Sequence, residues 1–408
     1  MGTWIIEPHD SFIARDGRPF GLIAGVRAAS LPFPFPSTTT GGVRTREGLN
    51  ADGVFDVSKI GDVKNLGVSG ALLVELDDDG SVTQWFLPAP ADALLLDATD
   101  KNRDKATVRR LVPRQLPPSS VSSMPDGLSP LYLAKVKDAS GDEHSDKSKP
   151  HGYAPHFWKW VKFEEWLAKP ADIQIESLYD FGINGLPQDE RSHVGIERDS
   201  QTNEQGSLFQ TRGLEFTRQK QKNDEGSTRL RTARRLALAV STGATNIKEG
   251  VASLGGERRL VSWRAFHGAE DILAMPCPAG ILKSVVESKA CRVVLLTPAH
   301  FEQGWKPTWM SVGRAGLQSN LVVELRAAAM SRYQVVSGWN FEVPGPKPTR
   351  RLVPSGAVFF LKLQGSYAEI EEWAKAVWMR CISDDLTSRK DGFGLAALGV
   401  WPEGKDVN

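Results

Sequence analysis

The sequence predicts an α+β fold arranged in two domains. The last third alternates strand and helix patterns in the order β-α-β-β-α-β, and the amino-terminal part opens with a short apolar run, Trp4 to Ile6, ahead of a helix start. A chain of 408 residues is long enough for two domains that each bury a core. We place these domains at residues 1–284 and 285–408.

The composition is that of a soluble globular protein, with 40% hydrophobic and 24% charged residues. No apolar run approaches the roughly 18 residues that a membrane helix needs. Glu7 and Asp10 interrupt the amino end where a signal segment would continue. The three cysteines are far apart, which favours neither a disulfide framework nor a paired zinc motif. We therefore expect a cytoplasmic protein without membrane contact.

Neither a cofactor nor a metal is expected. The glycines at 392, 394 and 399 miss the spacing of a dinucleotide fingerprint, and the chain has no Walker lysine motif. His144, His151 and His156 share a polar loop without a cysteine pair. A zinc site there is one interpretation, and a solvated loop is the favoured one.

The net charge is only +1, but the charges are unevenly distributed. Basic residues predominate at 101–114, 191–235 and 326–351, whereas 138–146 is acidic. Basic stripes on a neutral body suit a protein that holds RNA along one face and other proteins elsewhere. Solvated charged loops would give the same pattern.

The amino-terminal segment contains a candidate anion site. An Asp-Gly step within 15–20 predicts a tight turn, and a proline run at 32–36 followed by hydroxyl residues predicts a capped helix start. Free amides there, with arginines near in sequence, suit a phosphate. The residues concerned are Arg15, Arg18, Ser37, Thr38, Thr39, Arg44 and Arg46. An ordinary capped helix with solvated arginines is the alternative, and the local sequence alone favours it.

The middle of the chain is predicted to contain a helix at 55–66, strands at 71–76 and 82–87, and a long exposed insertion at about 98–160. Trp158, Trp160 and Trp166 are interpreted as core anchors or a protein interface rather than base-stacking residues. A β-hairpin follows at about 191–217. Its His193 and Arg198 are candidates for phosphate or sugar contacts, although a buried imidazole that fixes the hairpin is as good an interpretation.

Two glycine-containing segments complete the set of candidates. Gly255 and Gly256 lead into Arg258 and Arg259, which could grip a phosphate, although a plain turn explains them equally well. In the last third we predict strands at 291–297, 333–343 and 357–363, a partly helical crossover at 317–330 and an amphipathic helix at 367–381. A glycine-rich loop at 390–399 then opens the final strand, and Gly392 and Gly394 could bring backbone amides close to RNA phosphates.

Four stretches together resemble a known family. They are Arg15 to Phe20 with Ser37 to Arg44, His193 to Ile196 with Gly206 to Phe209, Leu254 to Arg259, and Lys390 to Leu395. In this order they resemble the third Cmr subunit, a member of the RAMP superfamily found in type III-B CRISPR effector complexes. Glu197 departs slightly from the family, which often has Asp there. The resemblance implies two ferredoxin-like (RRM-like) RAMP domains with a glycine-rich loop and long insertions.

The resemblance also implies a function. The protein would be a non-catalytic subunit that holds the repeat-derived 5′ handle of the guide RNA. It would bridge the large signalling subunit to the backbone RAMP subunits, and meet target RNA only indirectly. Reading a single-stranded RNA end requires phosphate anchors and surfaces for splayed bases. The expected RNA-binding residues are Arg15, Arg18, Ser37, Thr38, Thr39, Arg44, His193, Arg198, Arg258, Arg259, Gly392 and Gly394.

A metal-independent RNA endonuclease of the guide-processing RAMP kind is the alternative. Such cleavage needs a general base near the 2′-hydroxyl and a cation for the developing charge. His193 or His9 could be the base, but no cluster of His, Tyr and Lys accompanies either one. The pair His9 and Asp10 invites comparison with metal phosphohydrolases, yet the other ligands are missing. We therefore expect no catalysis.

Overall fold

The computed structural model describes residues 1–15, 27–28, 30–98, 104–114, 128–133, 136–137, 143–144, 148–218, 233–310, 321–340 and 345–405. The helices in these ranges are α1 (Pro36–Glu47), α2 (Ile60–Asn65), α3 (Trp160–Ala168), α4 (Leu178–Phe181), α5 (Ala279–Ser288), α6 (Tyr367–Val377) and α7 (Leu386–Lys390). None of these helices combines the length and the apolar character that crossing a membrane requires.

Strands outnumber helices in the same ranges, so the fold mixes α and β elements and is dominated by sheet. The strands of four or more residues are β1 (Gly2–Pro8), β2 (Val68–Leu76), β3 (Val82–Pro88), β4 (Ala93–Asp97), β5 (Ala106–Pro113), β6 (Gln188–Ile196), β7 (Asn203–Leu214), β8 (Arg234–Thr242), β9 (Gly250–Ser253), β10 (Leu260–Ala265), β11 (Ala290–Leu295), β12 (Val322–Ala329), β13 (Val358–Gln364) and β14 (Leu395–Gly399). Shorter strands lie at Arg27–Ala28, Leu131–Leu133, Val136–Lys137, Glu143–His144, Phe157–Lys159, Ile173–Ile175, Gly182–Ile183, Thr217–Arg218, Gln334–Val336, Trp339–Asn340, Gly345–Pro346, Arg350–Leu352 and Arg380–Cys381.

The chain forms two compact units that alternate along the sequence. The first unit contains residues 1–84, 185–273 and 335–351, and the second contains 85–184, 274–334 and 352–408. This division differs from the sequential one that we predicted, with its boundary after residue 284. Each unit is assembled from three separate segments, because strands distant in sequence pair with one another.

The first unit is built on an antiparallel sheet in the order β9-β10-β1-β8-β2. The predicted strand at Trp4 to Ile6 is its central strand β1, which pairs with β8 on one side and β10 on the other. Helix α1 contacts β2. Gly42 in α1 permits a close approach, because a Cβ there would lie 2.5 Å from Leu254 Cδ1 and 3.2 Å from the Trp263 ring.

The second unit contains an antiparallel sheet in the order β12-β13-β11-β14, extended by Arg380–Cys381. Helices α5 and α6 contact each other and this sheet. Helix α6 begins with a capping box, in which the Ser366 hydroxyl and the Glu369 carboxylate satisfy the first amides. A smaller sheet joins β4, β5, Ile173–Ile175 and Leu131–Leu133.

Two predictions about the last third are corrected. The crossover expected to be partly helical at 317–330 contains strand β12, whose residues alternate between buried and half-buried. That alternation is the period of a strand, and it outweighs the helix propensity of Leu325 to Ala329. The strand expected at 333–343 is confined, among the described residues, to Gln334–Val336 and Trp339–Asn340.

The tryptophans at 158–166 are core residues, as predicted. Trp158 and Trp166 are fully buried, with ring centroids 5.9 Å apart in an edge-to-face arrangement. The neighbouring insertion is less exposed than expected. Its strand β5 buries Ala106, Val108 and Val112, so this part of residues 98–160 does contribute to a core.

Candidate nucleic-acid interface

Helix α1 begins where predicted, but its first turn is not capped as predicted. Phe35 occupies the N-cap position and supplies no side-chain bond, and Pro36 is the first helical residue. The Thr38 amide donates to the Phe35 carbonyl at 2.9 Å. Thr39 is fully buried, and its hydroxyl donates to the Pro36 carbonyl at 3.0 Å. Of the three hydroxyl residues, Ser37 and Thr38 therefore stay partly exposed, whereas Thr39 cannot reach a ligand.

The arginines of this segment differ in their contacts. Arg44 donates from Nε and Nη2 to the Leu66 carbonyl at 3.3 and 3.0 Å, so it joins α1 to the chain that follows α2. Arg18, together with the rest of 16–20, lies outside the described residues. Arg15 is 41% exposed and forms an ion pair with Glu257 at 3.2 Å.

Arg15 and Arg259 belong to a group of six charged side chains in the first unit. This group, the Asp10 cluster, consists of Asp10, Arg15, Asp189, Arg191, Glu257 and Arg259. Asp10 accepts hydrogen bonds from Arg191 at 2.8 Å and from Arg259. Burial raises the pKa of Asp10, but the bonds from Arg191 and the Ser11 amide and the charge of Arg259 bring it below its ordinary value.

The Asp10 cluster contains three cations and three carboxylates, so it is close to neutral. Arg191 bonds Asp189 at 2.5 Å, and Arg259 bonds Glu257 at 3.2 Å. A phosphate would therefore have to replace carboxylates on these arginines rather than meet free charges. Sequence reasoning missed Asp10, Asp189 and Arg191 as members, because nothing local shows that residues about 180 positions apart will meet.

Three further arginines of the basic stripe at 191–235 are neutralised in the same way. Arg212 pairs with Glu190 at 2.5 Å, Arg234 with Glu75 at 3.5 Å and Arg235 with Glu7 at 2.7 Å. The acidic partners of Arg234 and Arg235 come from distant strands of the same sheet. At these three described positions, counting charges along the chain therefore overstated the positive potential.

The turn at 254–259 leaves one arginine exposed. A Cβ on Gly255, whose φ is +77°, would lie 2.8 Å from the Ile13 carbonyl oxygen, and the Gly256 amide donates to that oxygen at 2.8 Å. The lack of side chains at these glycines therefore allows the backbone at Ile13, rather than a ligand, to approach closely. Arg258 is exposed and forms no ion pair with a described residue.

The predicted hairpin is formed by β6 and β7. His193 faces Phe209 across the two strands; their rings are stacked, with centroids 5.1 Å apart. His193 Nε2 is hydrogen-bonded to Thr211 Oγ1 at 2.9 Å. The imidazole is half-buried. Its burial and these two contacts support the interpretation that His193 fixes the hairpin. Arg198 lies at the exposed tip and forms no ion pair with a described residue.

The glycine-rich loop is buried. Gly392 and Gly394 have φ values of +88° and +86°, and their amides donate to the carbonyls of Arg389 at 3.1 Å and Pro298 at 2.8 Å. The Thr297 hydroxyl donates to the Gly392 carbonyl at 2.7 Å. Because both amides are engaged within the fold, neither glycine has a donor left for an RNA phosphate. They also belong to the second unit, whereas the arginine candidates belong to the first.

These observations first define a class: a sheet-rich protein of mixed α and β elements, with an antiparallel sheet in each unit. In the first unit β1 lies between β10 and β8, and in the second β11 lies between β14 and β13. The family follows from sequence. The family model described as CRISPR-associated protein (Cas_Cmr3) matches residues 4–401, so the chain belongs to the Cas_Cmr3 family. This confirms the resemblance noted above and makes the protein a component of a type III CRISPR effector complex, active in antiviral defence.

Solved structures are similar to the chain at low identity. One is a chain of a type III-B Cmr-beta complex bound to cognate target RNA and AMPPnP, with 12% identity, 88% of this chain and 86% of that chain covered, and a TM-score of 0.44. The same complex with cognate target RNA gives the same values. The Csm3-Csm4 subcomplex of a type III-A interference complex gives 10% identity, 98% and 99% coverage and a TM-score of 0.39. No curated protein matches the chain.

Proposed function

We propose that this protein is the non-catalytic subunit that holds the 5′ handle of the guide RNA in a cytoplasmic type III-B complex. It bridges the large signalling subunit to the backbone subunits there. The observation that carries the proposal is the family match, which extends over residues 4–401. The guide RNA and the neighbouring subunits are its partners, and target RNA is reached through them.

The fold proposed for both units is ferredoxin-like. In the first unit, β1, β2, β8 and β10 follow one another in the chain and lie in the order fourth, first, third, second. In the second unit, β11, β12, β13 and β14 repeat this order. The antiparallel order 4-1-3-2 is that of the β-α-β-β-α-β unit. Helix α1 lies between the first two strands of one unit, and α6 between the last two of the other.

The RNA contacts proposed here come mainly from exposed arginines of the first unit. Arg198 and Arg258 have no carboxylate partner among the described residues, so a phosphate gains their full charge. Arg15 is 41% exposed and pairs with Glu257, whose side chain is 35% exposed. Exposed ion pairs contribute about 0–1 kcal/mol, so RNA can displace Glu257 from Arg15 at small cost. Arg259 is more enclosed, with 16% of its side chain exposed, and positions Asp10 and Glu257 instead.

A catalytic role receives no support from the two candidate bases. His193 is stacked on Phe209 and bonded to Thr211, and His9 Nε2 is 2.6 Å from the Ser262 hydroxyl. Neither imidazole has a second histidine, a tyrosine or a lysine among these partners. Base catalysis with charge stabilisation needs such a second group at the reacting phosphate.

Co-expression with the genomic neighbours tests the proposal. A tagged chain is expected to bring down the other effector subunits and an RNA that begins with the repeat-derived handle. That RNA is expected to stay intact on long incubation, with or without divalent metal. A complex that loads the same RNA equally well without this chain, or discrete products that vanish in His193→Ala, would contradict it.

A further inference from the structure

A basic cavity lies at the carboxyl end of α1 in the first unit, and Arg46 is the one lining residue that the sequence had already singled out. Its volume is about 440 Å³, and the polar part of its lining consists of Arg46, Asn50, Lys59, Asn246 and Lys248. Small-molecule sites in proteins range from about 300 to 1,000 Å³. The cavity is therefore large enough for a nucleotide.

The charges of the lining residues are all positive. Arg46 lies over the Trp263 ring, 5.2 Å from its centroid, and donates to the Lys248 carbonyl. Lys59 Nζ donates to the Leu49 carbonyl at 3.4 Å. None of the three cations forms an ion pair with a described residue, in contrast with the arginines of the Asp10 cluster. The Asp56 carboxylate, which interacts electrostatically with Lys59, accepts from the Ser58 amide at 3.0 Å and hydroxyl at 2.6 Å, so an anion entering this cavity has no direct ion pair to break.

The nearby carboxylate of Glu47 is already engaged elsewhere. Its Oε2 accepts from the Asn246 amide at 2.7 Å, and its Oε1 accepts from the Thr245 amide at 3.2 Å and hydroxyl at 3.3 Å. These bonds hold Glu47 on the backbone of the 245–246 loop. The lining itself contains no Asp or Glu.

Two asparagines add one donor and one acceptor to the cavity. Asn246 Nδ2 donates to the carbonyls of Glu47 at 3.0 Å and Leu49 at 2.9 Å, so the Oδ1 of Asn246 is left to accept a hydrogen bond. Asn50 Oδ1 accepts from the amides of Asp52 at 3.0 Å and Val54 at 2.9 Å, so its Nδ2 is left to donate. A donor and an acceptor beside cations match a base edge beside a phosphate.

We infer that this cavity binds one nucleotide of a single-stranded RNA, with the phosphate on Lys59 and Lys248 and the base edge on Asn50 and Asn246. Arg46, fixed by Trp263, adds positive charge behind the phosphate. The inference rests on the proposed function, since the strand is the guide RNA. It concerns a different part of the first unit from the exposed arginines at 198 and 258.

Binding of a labelled single-stranded RNA to the full chain tests the inference, with AMP as a second probe. Lys59→Gln combined with Lys248→Gln is expected to weaken RNA binding by roughly tenfold or more. It is also expected to make the dependence of log affinity on log salt less steep by about 0.7, because one phosphate of a single strand loses its cations. Lys169→Gln combined with Lys283→Gln removes the same charge from exposed positions outside the cavity, and this control leaves the slope unchanged.

A third variant separates binding from local folding. Asn50→Asp keeps the oxygen that accepts from Asp52 and Val54 but replaces the free donor with a negative oxygen. It is expected to weaken RNA binding several-fold without changing the melting temperature. Unchanged RNA binding in both cavity variants overturns the inference and leaves the proposed function standing. A wild-type chain that binds AMP but not RNA overturns the assignment of the ligand to an RNA strand. A wild-type chain that binds neither AMP nor RNA overturns that assignment and the nucleotide site itself.

Discussion

Arg292 and Asp92, 200 positions apart in the chain, form a buried ion pair inside the second unit, where each side chain is only 1% exposed. Arg292 also donates to the carbonyls of Val400 at 2.7 Å and Trp166 at 2.6 Å. The second oxygen of Asp92 accepts from the Trp166 indole at 3.0 Å. The pair therefore joins β11 to α3 and to the residue after β14, with its hydrogen-bonding groups satisfied.

Breaking this pair from one side is expected to destabilise the protein strongly. Arg292→Met leaves the Asp92 carboxylate buried and without its cation, which typically costs about 3–5 kcal/mol. Combining Arg292→Met with Asp92→Leu removes both charges and is expected to recover much of that loss. Urea unfolding of the full chain measures both variants.

A matched control for this prediction is the exposed pair of Lys283 and Glu287, whose side chains are 75% and 56% exposed. Because water solvates both charges, Lys283→Met is expected to change stability by less than about 1 kcal/mol. Equal losses at the buried and the exposed pair would contradict the structural role assigned to Arg292.

The exposed arginines are expected to matter for RNA rather than for folding. Arg198→Ala combined with Arg258→Ala removes two cations that form no ion pair with a described residue, so guide-RNA loading is expected to fall and to become less dependent on salt. The melting temperature is expected to stay the same. Quantifying RNA in the co-purified complex measures the effect.

Arg44→Ala provides the opposite case. Arg44 donates two hydrogen bonds to the Leu66 carbonyl, so its loss is expected to lower stability by roughly 1–2 kcal/mol while the folded fraction still loads RNA.

Normal loading in the double variant of Arg198 and Arg258 would remove those two residues from the proposed RNA contacts.

The glycine-rich loop is expected to act on stability alone. A Cβ on Gly394 would lie 2.8 Å from the Ser383 amide nitrogen, at a backbone φ of +86°. Gly394→Ala is therefore expected to lower stability by about 1–3 kcal/mol.

Gly280→Ala is the control, because Gly280 lies in α5 with open space around its Cα. It is expected to raise stability by roughly 0.5–1 kcal/mol. Thermal unfolding distinguishes the two variants, and a neutral Gly394→Ala would contradict the close packing.

Acid is expected to weaken the cap of α7. Burial raises the pKa of Asp385, but the Ser388 amide and the side chains of His300 and Ser388 lower it more, so the pKa lies below the ordinary 3.8. A carboxyl whose pKa is depressed by folding stabilises the protein fully above its unfolded pKa and loses that contribution as the pH falls through the folded value. The contribution of Asp385 is therefore complete above about pH 5 and declines below about pH 4.

Asp385→Asn tests this pH dependence, since the amide oxygen can still accept from Ser388 at the helix start. The difference in stability between wild type and variant is expected to shrink as the pH falls from about 5 to 2. Asp79→Asn, at an exposed position in the turn after β2, is the control. A difference that stays constant with pH would show that the charge of Asp385 adds nothing.

Local sequence patterns determined most of the elements and the family. The apolar run at Trp4 to Ile6 became β1, the helical spacing of Ile370, Trp373 and Val377 became α6, and the tryptophans at 158–166 became core. These features depend on periods of two and 3.6 residues, which are written in consecutive positions. The four short motifs pointed to the family for the same reason.

Only the tertiary structure decided which polar groups are free. Arg259 is held by Asp10, Arg292 is buried against Asp92, and the amides of Gly392 and Gly394 are engaged within the fold. Each of these partners lies far away in the chain or in a turn whose packing no local pattern specifies. An arginine and a carboxylate pair through space, so the sequence lists the charges while the fold determines their neighbours.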